Sequence, residues 1–287
     1  MIVDERFALH VGDCQTVIAG MADNSVDSIV TDPPYERQRT SFHWDGHGVA
    51  FDSIMWAQCA RVLKPGGHLL AFGHSKTYHH LVDALERAGF EYRDMLLWQR
   101  QASFPVSTHV SKKLDGVLGN QAKAFAIHSG QHAAGAHKHV PVSDEAKQWH
   151  GWGTAVRNST EPIALCRKPL IRPPRLRTPT RPGMKGGRKG EALIANIRTY
   201  GTGALNLQTD NGLWPSNVFA HGKVQGREKV DHPTQKPIAL MADLCRLVTP
   251  TGGLVLDPFC GSGSTGVGAL MERMTFIGID LDRKSVV

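Results

Sequence analysis

No stretch of this chain is apolar over anything near the roughly 20 residues that a bilayer crossing needs. The opening Met1-Ile2-Val3-Asp4-Glu5-Arg6 lacks the basic-then-apolar layout of a signal peptide. These two absences predict a cytoplasmic protein with no membrane partner. Cysteine is sparse: Cys14, Cys59, Cys166, Cys245 and Cys260 are five in number, scattered, and without a Cys-x-x-Cys pair. That pattern argues against a disulfide framework or a zinc ribbon and for a reducing compartment. No internal repeat is visible. Acidic residues are missing altogether between Arg167 and Lys189, where nine Lys and Arg side chains occur among five prolines and three glycines. Histidines cluster at His128, His132, His137 and His139, but no cysteine or carboxylate is spaced to complete a metal site, so a solvated loop is expected there.

What is present suffices for a sizeable core, with 41% hydrophobic residues in 287. The formal net charge of +7 points to a polyanionic partner. Apolar runs at 7–11, 26–31, 68–72 and 92–98 read as strands. Helical patterns at 15–22, 51–63 and 76–88 lie between them, the second stopped by Pro65-Gly66-Gly67. This alternation predicts a parallel sheet covered on both faces. The rhythm breaks after Trp98, apart from one more strand at Pro162–Cys166, and the basic stretch reads as a flexible arm. It resumes with a helix at Ile238–Val248, a strand at Leu254–Leu256, a helix at Ser264–Met271 and a strand at Thr275–Ile279. The expected organisation is an α/β domain in two sequence halves, 1–100 and 231–287, with an irregular insert at 101–230.

Chemistry concentrates at strand ends, where open α/β sheets bind ligands. The run Val26–Thr31 stops at Asp32-Pro33-Pro34-Tyr35. There a carboxylate, a carbonyl held by proline's fixed φ and an aromatic ring are placed to grip a flat, amino-bearing ring. Asp257-Pro258-Phe259-Cys260-Gly261-Ser262-Gly263 lies between a strand and a helix, where glycines permit a tight turn and close approach of a ligand. Asp280 ends the next strand, a position suited to accepting hydrogen bonds from ribose hydroxyls. The third glycine of a dinucleotide fingerprint is missing, which argues against NAD.

Taken together, Asp32-Pro33-Pro34-Tyr35, His232-Pro233-Thr234-Gln235-Lys236-Pro237 and Asp257–Gly263 resemble the DNA amino-methyltransferases. The order, with the catalytic motif first, resembles their permuted β group. Weaker echoes of phage-type members occur at Phe104-Pro105-Val106-Ser107, Trp152-Gly153 with Glu161-Pro162, and Trp214-Pro215-Ser216-Asn217. The resemblance implies an S-adenosylmethionine-dependent methyltransferase fold, Rossmann-like, with a seven-stranded, mostly parallel sheet. It further implies S-adenosylmethionine as cofactor, double-stranded DNA as partner, an insert that reads the DNA target, and a bacterial or phage-infected cell as setting.

By the same resemblance Asp32, Pro33, Pro34 and Tyr35 form the catalytic motif. Asp13 would contact the cofactor's adenine amino group and Asp280 its ribose, while Phe259, Cys260, Gly261, Ser262 and Gly263 would wrap its methionine and adenosine portions. Cys14 and Asp257 lie in the same motifs, and the thiols of Cys14 and Cys260 read as packing groups. Arg172, Arg175, Arg177 and Arg181 are expected on the phosphate backbone. In this family Asp at the first motif position goes more with adenine N6, and Ser more with cytosine N4. Adenine N6 is therefore the expected target, with cytosine N4 or an inactive DNA-binding relative as alternatives. The chain stops at Val287, soon after Asp280, where family members continue into a helix, so an exposed cofactor side is expected. A homodimer and a cognate restriction nuclease stay open as partners.

Overall fold

Short runs rich in Val, Ile and Leu can be buried on both faces of a sheet, and in this chain they supply its central strands. The computed structural model describes residues 2–36, 48–100, 107–119, 139–156, 158–171, 187–208, 214–222, 224, 226–230 and 234–281. The first half comprises β1 (Ile2–Val3), β2 (Phe7–Val11), α1 (Cys14–Ala19), β3 (Val26–Thr31), α2 (Ser53–Val62), β4 (Leu63–Phe72), α3 (Tyr78–Arg87) and β5 (Glu91–Gln99). There follow α4 (Val110–Val117), α5 (Asp144–Gln148), β6 (Thr160–Arg167), α6 (Gly187–Tyr200) and β7 (Val218–Ala220). The chain then closes with α7 (Ile238–Val248), β8 (Leu254–Asp257), α8 (Ser264–Met271) and β9 (Thr275–Asp280).

The strands form one sheet in the order β1-β2-β9-β8-β3-β4-β6-β5-β7. From β2 to β4 every pair is parallel. β6 lies antiparallel between β4 and β5, and β7 runs parallel to β5 at the far edge. The mostly parallel α/β sheet is the expected one, but among the described residues it has nine strands rather than seven. Ile2–Val3 and Val218–Ala220 account for the two short additions at its edges.

β3 is buried at every position because β8 and β4 flank it. Its neighbouring side chains point to opposite faces. Ile29, with Leu69 and Ala71 of β4, packs against Ile18, Trp56 and Leu85 from α1, α2 and α3. Val30, with Leu70 and Phe72, packs against Leu240, Leu244 and Leu247 of α7. The polar Asp27 in this apolar setting has a structural use. Its carboxylate accepts the Leu254 N–H at 2.8 Å and the Lys64 ammonium at 2.6 Å, fixing the start of β8 beside β3. The carboxyl ends of β3, β8, β9 and β2 thus lie side by side.

Two expectations change. Pro65-Gly66-Gly67 does not separate a helix from a strand; β4 starts at Leu63 and runs through it. Leu63 pairs with Val26, and the pairing then slips before Ser28 meets His68, an irregularity that the glycines, with Gly66 at φ 77°, make room for. The second is the insert. The chain divides into one compact unit of residues 1–99 with 160–287, and another of residues 100–159. The expected insert of 101–230 therefore ends too late, because β6 fills a gap in the sheet that β4 and β5 leave open. α6, not expected from the sequence, is held by Asn196, whose side-chain amide donates to the Pro65 and Thr202 carbonyls, both at 2.8 Å.

The smaller unit has its own polar anchor. Asp115, fully buried, accepts the backbone N–H groups of Val142 and Ser143, both at 2.9 Å, and lies 3.1 Å from His139 Nε2. These hydrogen bonds hold its carboxyl down at about 2 against the upward push of burial. His139, expected on a solvated loop, is one of its partners, whereas His128, His132 and His137 lie outside the described residues. Among the described residues no helix is long and apolar enough to cross a membrane.

Candidate active site

The prolines end β3 because they cannot continue its hydrogen bonding, and they deliver Asp32 and Tyr35 beyond the sheet. The Tyr35 carbonyl is held by the Thr77 hydroxyl, which donates at 3.0 Å from just before α3. Both side chains meet a lysine supplied from immediately before α7. Lys236, itself 6% exposed, donates to one carboxylate oxygen of Asp32, Oδ2, and to the Tyr35 hydroxyl at 3.1 Å. Tyr35 in turn donates to Glu161 Oε2 at 2.9 Å, and that oxygen lies 3.6 Å from the Lys236 ammonium. The ammonium also sits over the Phe72 ring, 4.8 Å from its centroid.

The other oxygen of Asp32, Oδ1, is buried and has no hydrogen-bond partner among the described residues. A buried acceptor left this way is unusual and calls for an explanation. Burial pushes the Asp32 carboxyl up, Lys236 pulls it back, and Glu161 pushes it up again. Burial opposes the charge on Lys236, but Asp32 and Glu161 together outweigh it and hold the ammonium above its ordinary value. Burial raises the Tyr35 hydroxyl well above its ordinary value, so it stays a donor.

The second motif is joined to the first through Asp257 at the end of β8. Its two oxygens accept from the Thr31 and Thr265 hydroxyls, each at 2.6 Å, and from the Phe259 N–H at 3.0 Å. Burial pushes this carboxyl up to about 6 despite those bonds. Asp257 is only 1% exposed and is satisfied by its own chain. It ties β3, the turn and α8 together, and so shapes the turn that carries the other residues of the motif. Phe259 packs edge-on to Trp56, centroids 6.2 Å apart. Cys14 and Cys260 are 6% and 5% exposed, and burial raises both thiols, that of Cys14 to about 11. They pack, as expected from sequence.

Gly261 and Gly263 take φ of 50° and 75°, in the left-handed region that favours glycine. A Cβ at Gly263 would meet nothing within 4 Å, so the start of α8 opens onto free space. The Asp280 carboxylate accepts the Gly261 N–H at 2.8 Å, and its backbone carbonyl accepts the Gly12 N–H at 2.8 Å. Asp13 follows directly and caps α1, accepting the Thr16 N–H at 2.9 Å. Asp13, Phe259–Gly263 and Asp280 are therefore gathered around neighbouring strand ends. Arg172, Arg175, Arg177 and Arg181 lie outside the described residues.

Lys236 and Glu161 do not emerge as site residues from the sequence, although both sit in the quoted motifs. The available signal is a charged side chain close to an apolar run: Lys236 two residues before Ile238-Ala239-Leu240-Met241, and Glu161 directly before Pro162-Ile163-Ala164-Leu165.

Known proteins resemble this chain in sequence and in fold. Type II methyltransferase M.HindIII of Haemophilus influenzae is 27% identical over 228 residues, covering 77% of this chain. Type II methyltransferase M.BglII of Bacillus subtilis is 25% identical over 285 residues, covering 97%. The chain spans 60% and 66% of the lengths of these two relatives. Among solved structures, the M1.HpyAVI–SAM complex matches with a TM-score of 0.53 at 19% identity, covering 97% of this chain and 95% of that one. The cytosine-N4-specific PvuII DNA methyltransferase matches with a TM-score of 0.61 at 14% identity, covering 99% and 84%. These likenesses extend the agreement in fold. The N6/N4 DNA methylase family profile matches residues 26–286, from the start of β3 past the end of β9. On that match the chain belongs to the DNA methylase family.

Proposed function

We propose that this chain transfers a methyl group from S-adenosylmethionine to an exocyclic amino group of a base in DNA, with adenine N6 as the target. The observation that carries this reading is Oδ1 of Asp32, buried and without a partner among the described residues, next to a carboxylate oxygen whose partner Lys236 also donates to the Tyr35 hydroxyl. An aromatic amino nitrogen is a weak nucleophile because its lone pair is shared with the ring. Accepting one N–H at Asp32 Oδ1, and a second at the Pro33 carbonyl, draws that nitrogen toward tetrahedral geometry and frees the pair. Asp32 polarises the amine; it need not take the proton before attack. Tyr35 stacks on the base, a contact worth roughly 1–3 kcal/mol. Since the amino group is paired inside a duplex, the base must leave the stack.

The residues present fit S-adenosylmethionine. The glycine-bent turn leaves open space at the start of α8, where N–H groups suit a carboxylate, and Asp280 and Asp13 stand at the adjoining strand ends for the nucleoside. When bound, the cofactor supplies an electrophilic methyl on a sulfonium. With Lys236 protonated and Asp32 and Glu161 ionised, the cluster carries one net negative charge. That charge favours the positive charge that develops on the amino nitrogen before its proton is released to solvent. The Asp at the first motif position supports adenine. Arg172, Arg175, Arg177 and Arg181 would hold the phosphate backbone, and the 100–159 unit with the segments that follow it would read the target.

The test is incubation with duplex DNA and methyl-labelled S-adenosylmethionine, followed by digestion to nucleosides. N6-methyladenine is expected. N4-methylcytosine would overturn the choice of base, and label in neither would overturn the activity. Asp32→Ala should lower kcat by about 100-fold or more, with S-adenosylmethionine binding by calorimetry retained.

A further inference from the structure

Asp32 has two carboxylate oxygens, and the fold treats them differently. Oδ2 is engaged by Lys236; Oδ1 is buried with no partner among the described residues. The lysine is in turn fixed from the other side, since Glu161 lies 3.6 Å from its ammonium and accepts from the Tyr35 hydroxyl at 2.9 Å. Three separate parts of the chain converge: the turn after β3, the start of the antiparallel β6, and the segment entering α7. Lys236 and Glu161 are 6% and 7% exposed. A buried charge held in this way is costly unless its partners stay in place.

We propose that Lys236 and Glu161 are positioning residues of the methyl-accepting site: Lys236 occupies one oxygen of Asp32 so that the other is presented to the target amine, and Glu161 holds both the ammonium and the Tyr35 hydroxyl in register. This rests on the reading of Asp32 as the acceptor of the amine. Without Lys236, burial and the Glu161 charge would protonate Asp32 at a higher pH, and a protonated, rotating carboxyl would lose its fixed acceptor. Without the Glu161 charge the opposite holds, because the like charge that disfavours ionisation is gone. The charged and titratable groups facing Asp32 are Lys236, Glu161, Tyr35 and, from the end of β8, Asp257; His74, after β4, faces the Tyr35 ring at 6.1 Å.

The experiment titrates Asp32 by carboxyl 13C NMR in the DNA-free protein, assigned with Asp32→Asn, in Lys236→Met, Lys236→Arg and Glu161→Gln. Lys236→Met should raise the midpoint by about one unit or more, and Glu161→Gln should lower it. Lys236→Arg, which keeps the charge, should stay close to the unaltered protein. The acid limb of kcat should move in the same directions, with kcat changing more than KM for DNA. If Lys236→Met fails to melt cooperatively, Glu161→Gln and Lys236→Arg carry the test. An unmoved midpoint in Glu161→Gln, or shifts of one sign in Glu161→Gln and Lys236→Met, would overturn the proposal. The midpoint is read without turnover, so a protein that methylates no DNA would defeat the functional reading while leaving this one decided separately.

Discussion

His68 shows how a single residue couples the fold to pH. It lies 4% exposed in β4, and burial, aided by the charges of Arg167 and Arg93, lowers its imidazole from 6.5 to about 3. The folded protein therefore keeps it neutral where the unfolded chain would protonate it. Its contribution to stability is intact above pH 6.5 and is lost progressively as pH falls toward 3, at about 1.4 kcal/mol per pH unit. Asp257 acts in the opposite sense, because its carboxyl is raised from 3.8 to about 6; its contribution is present below 3.8 and lost as pH rises through 6. Replacing His68 by Phe should flatten the acid loss seen in urea unfolding between pH 7 and pH 5 while leaving the Asp257 component unchanged. An equally steep loss in the variant would show that His68 is not its source. At this scale the sequence was informative where chemistry is contiguous. Asp32, Pro33 and Tyr35 could be read from four successive letters. Lys236 and Glu161 could not be placed with them, because each is charged in an apolar neighbourhood and only the folded sheet shows what offsets the charge.

The strand–turn–helix of β8, Phe259–Gly263 and α8 is the element on which the cofactor reading depends. Its shape is set by neighbours on β9 as much as by its own glycines. A Cβ added at Gly278 would stand 2.6 Å from Cys260 Sγ and 2.8 Å from the Phe276 ring. Something must shift to relieve those contacts, and the nearest side chains belong to the turn, to β9 and to β2. Gly278→Val should destabilise the fold by about 1–3 kcal/mol through overpacking and weaken S-adenosylmethionine binding in calorimetry. Unfolding and binding both equal to the unaltered protein would show that the turn tolerates displacement. The helices α7 and α8 have the bounds their periodicity predicts, since each is a short amphipathic or apolar segment between clear stops. β4 does not, because its extension through Pro65-Gly66-Gly67 is dictated by pairing with β3, a long-range contact. α6 escapes notice for a similar reason: its anchor is the Asn196 amide bound to a carbonyl of β4.

Across the whole molecule, the net charge of +7 and the acid-free stretch from Arg167 to Lys189 bear on how a polyanion would be held. If Arg172, Arg175, Arg177 and Arg181 contact phosphates, each contributes about 0.9 to the slope of log affinity against log salt. Replacing all four by Ala should then reduce that slope by about 3–4, measured by fluorescence anisotropy on a labelled duplex. An unchanged slope would remove the arm from the DNA-binding surface. At this scale the structure groups residues 1–99 with 160–287 and sets 100–159 apart, so the sheet unit takes in β6, α6 and β7 from the stretch read as insert. The strand read at Pro162–Cys166 does not reveal its partners or its direction, and β7 is only three residues long, so neither could be assigned to the sheet from sequence.

The sequence by itself determined the candidate residues at the strand ends: which carboxylate, which turn, and in which order the motifs follow. These are local facts, written in adjacent residues whose dihedral limits and polarity act without help from distant chain. Tertiary structure alone decided that an antiparallel strand fills the sheet between β4 and β5. It also decided that this strand brings Glu161 to a lysine 75 positions later, and that one oxygen of Asp32 is taken while the other is left. Each of those outcomes depends on which charges are buried together, and burial is a property of the packed fold.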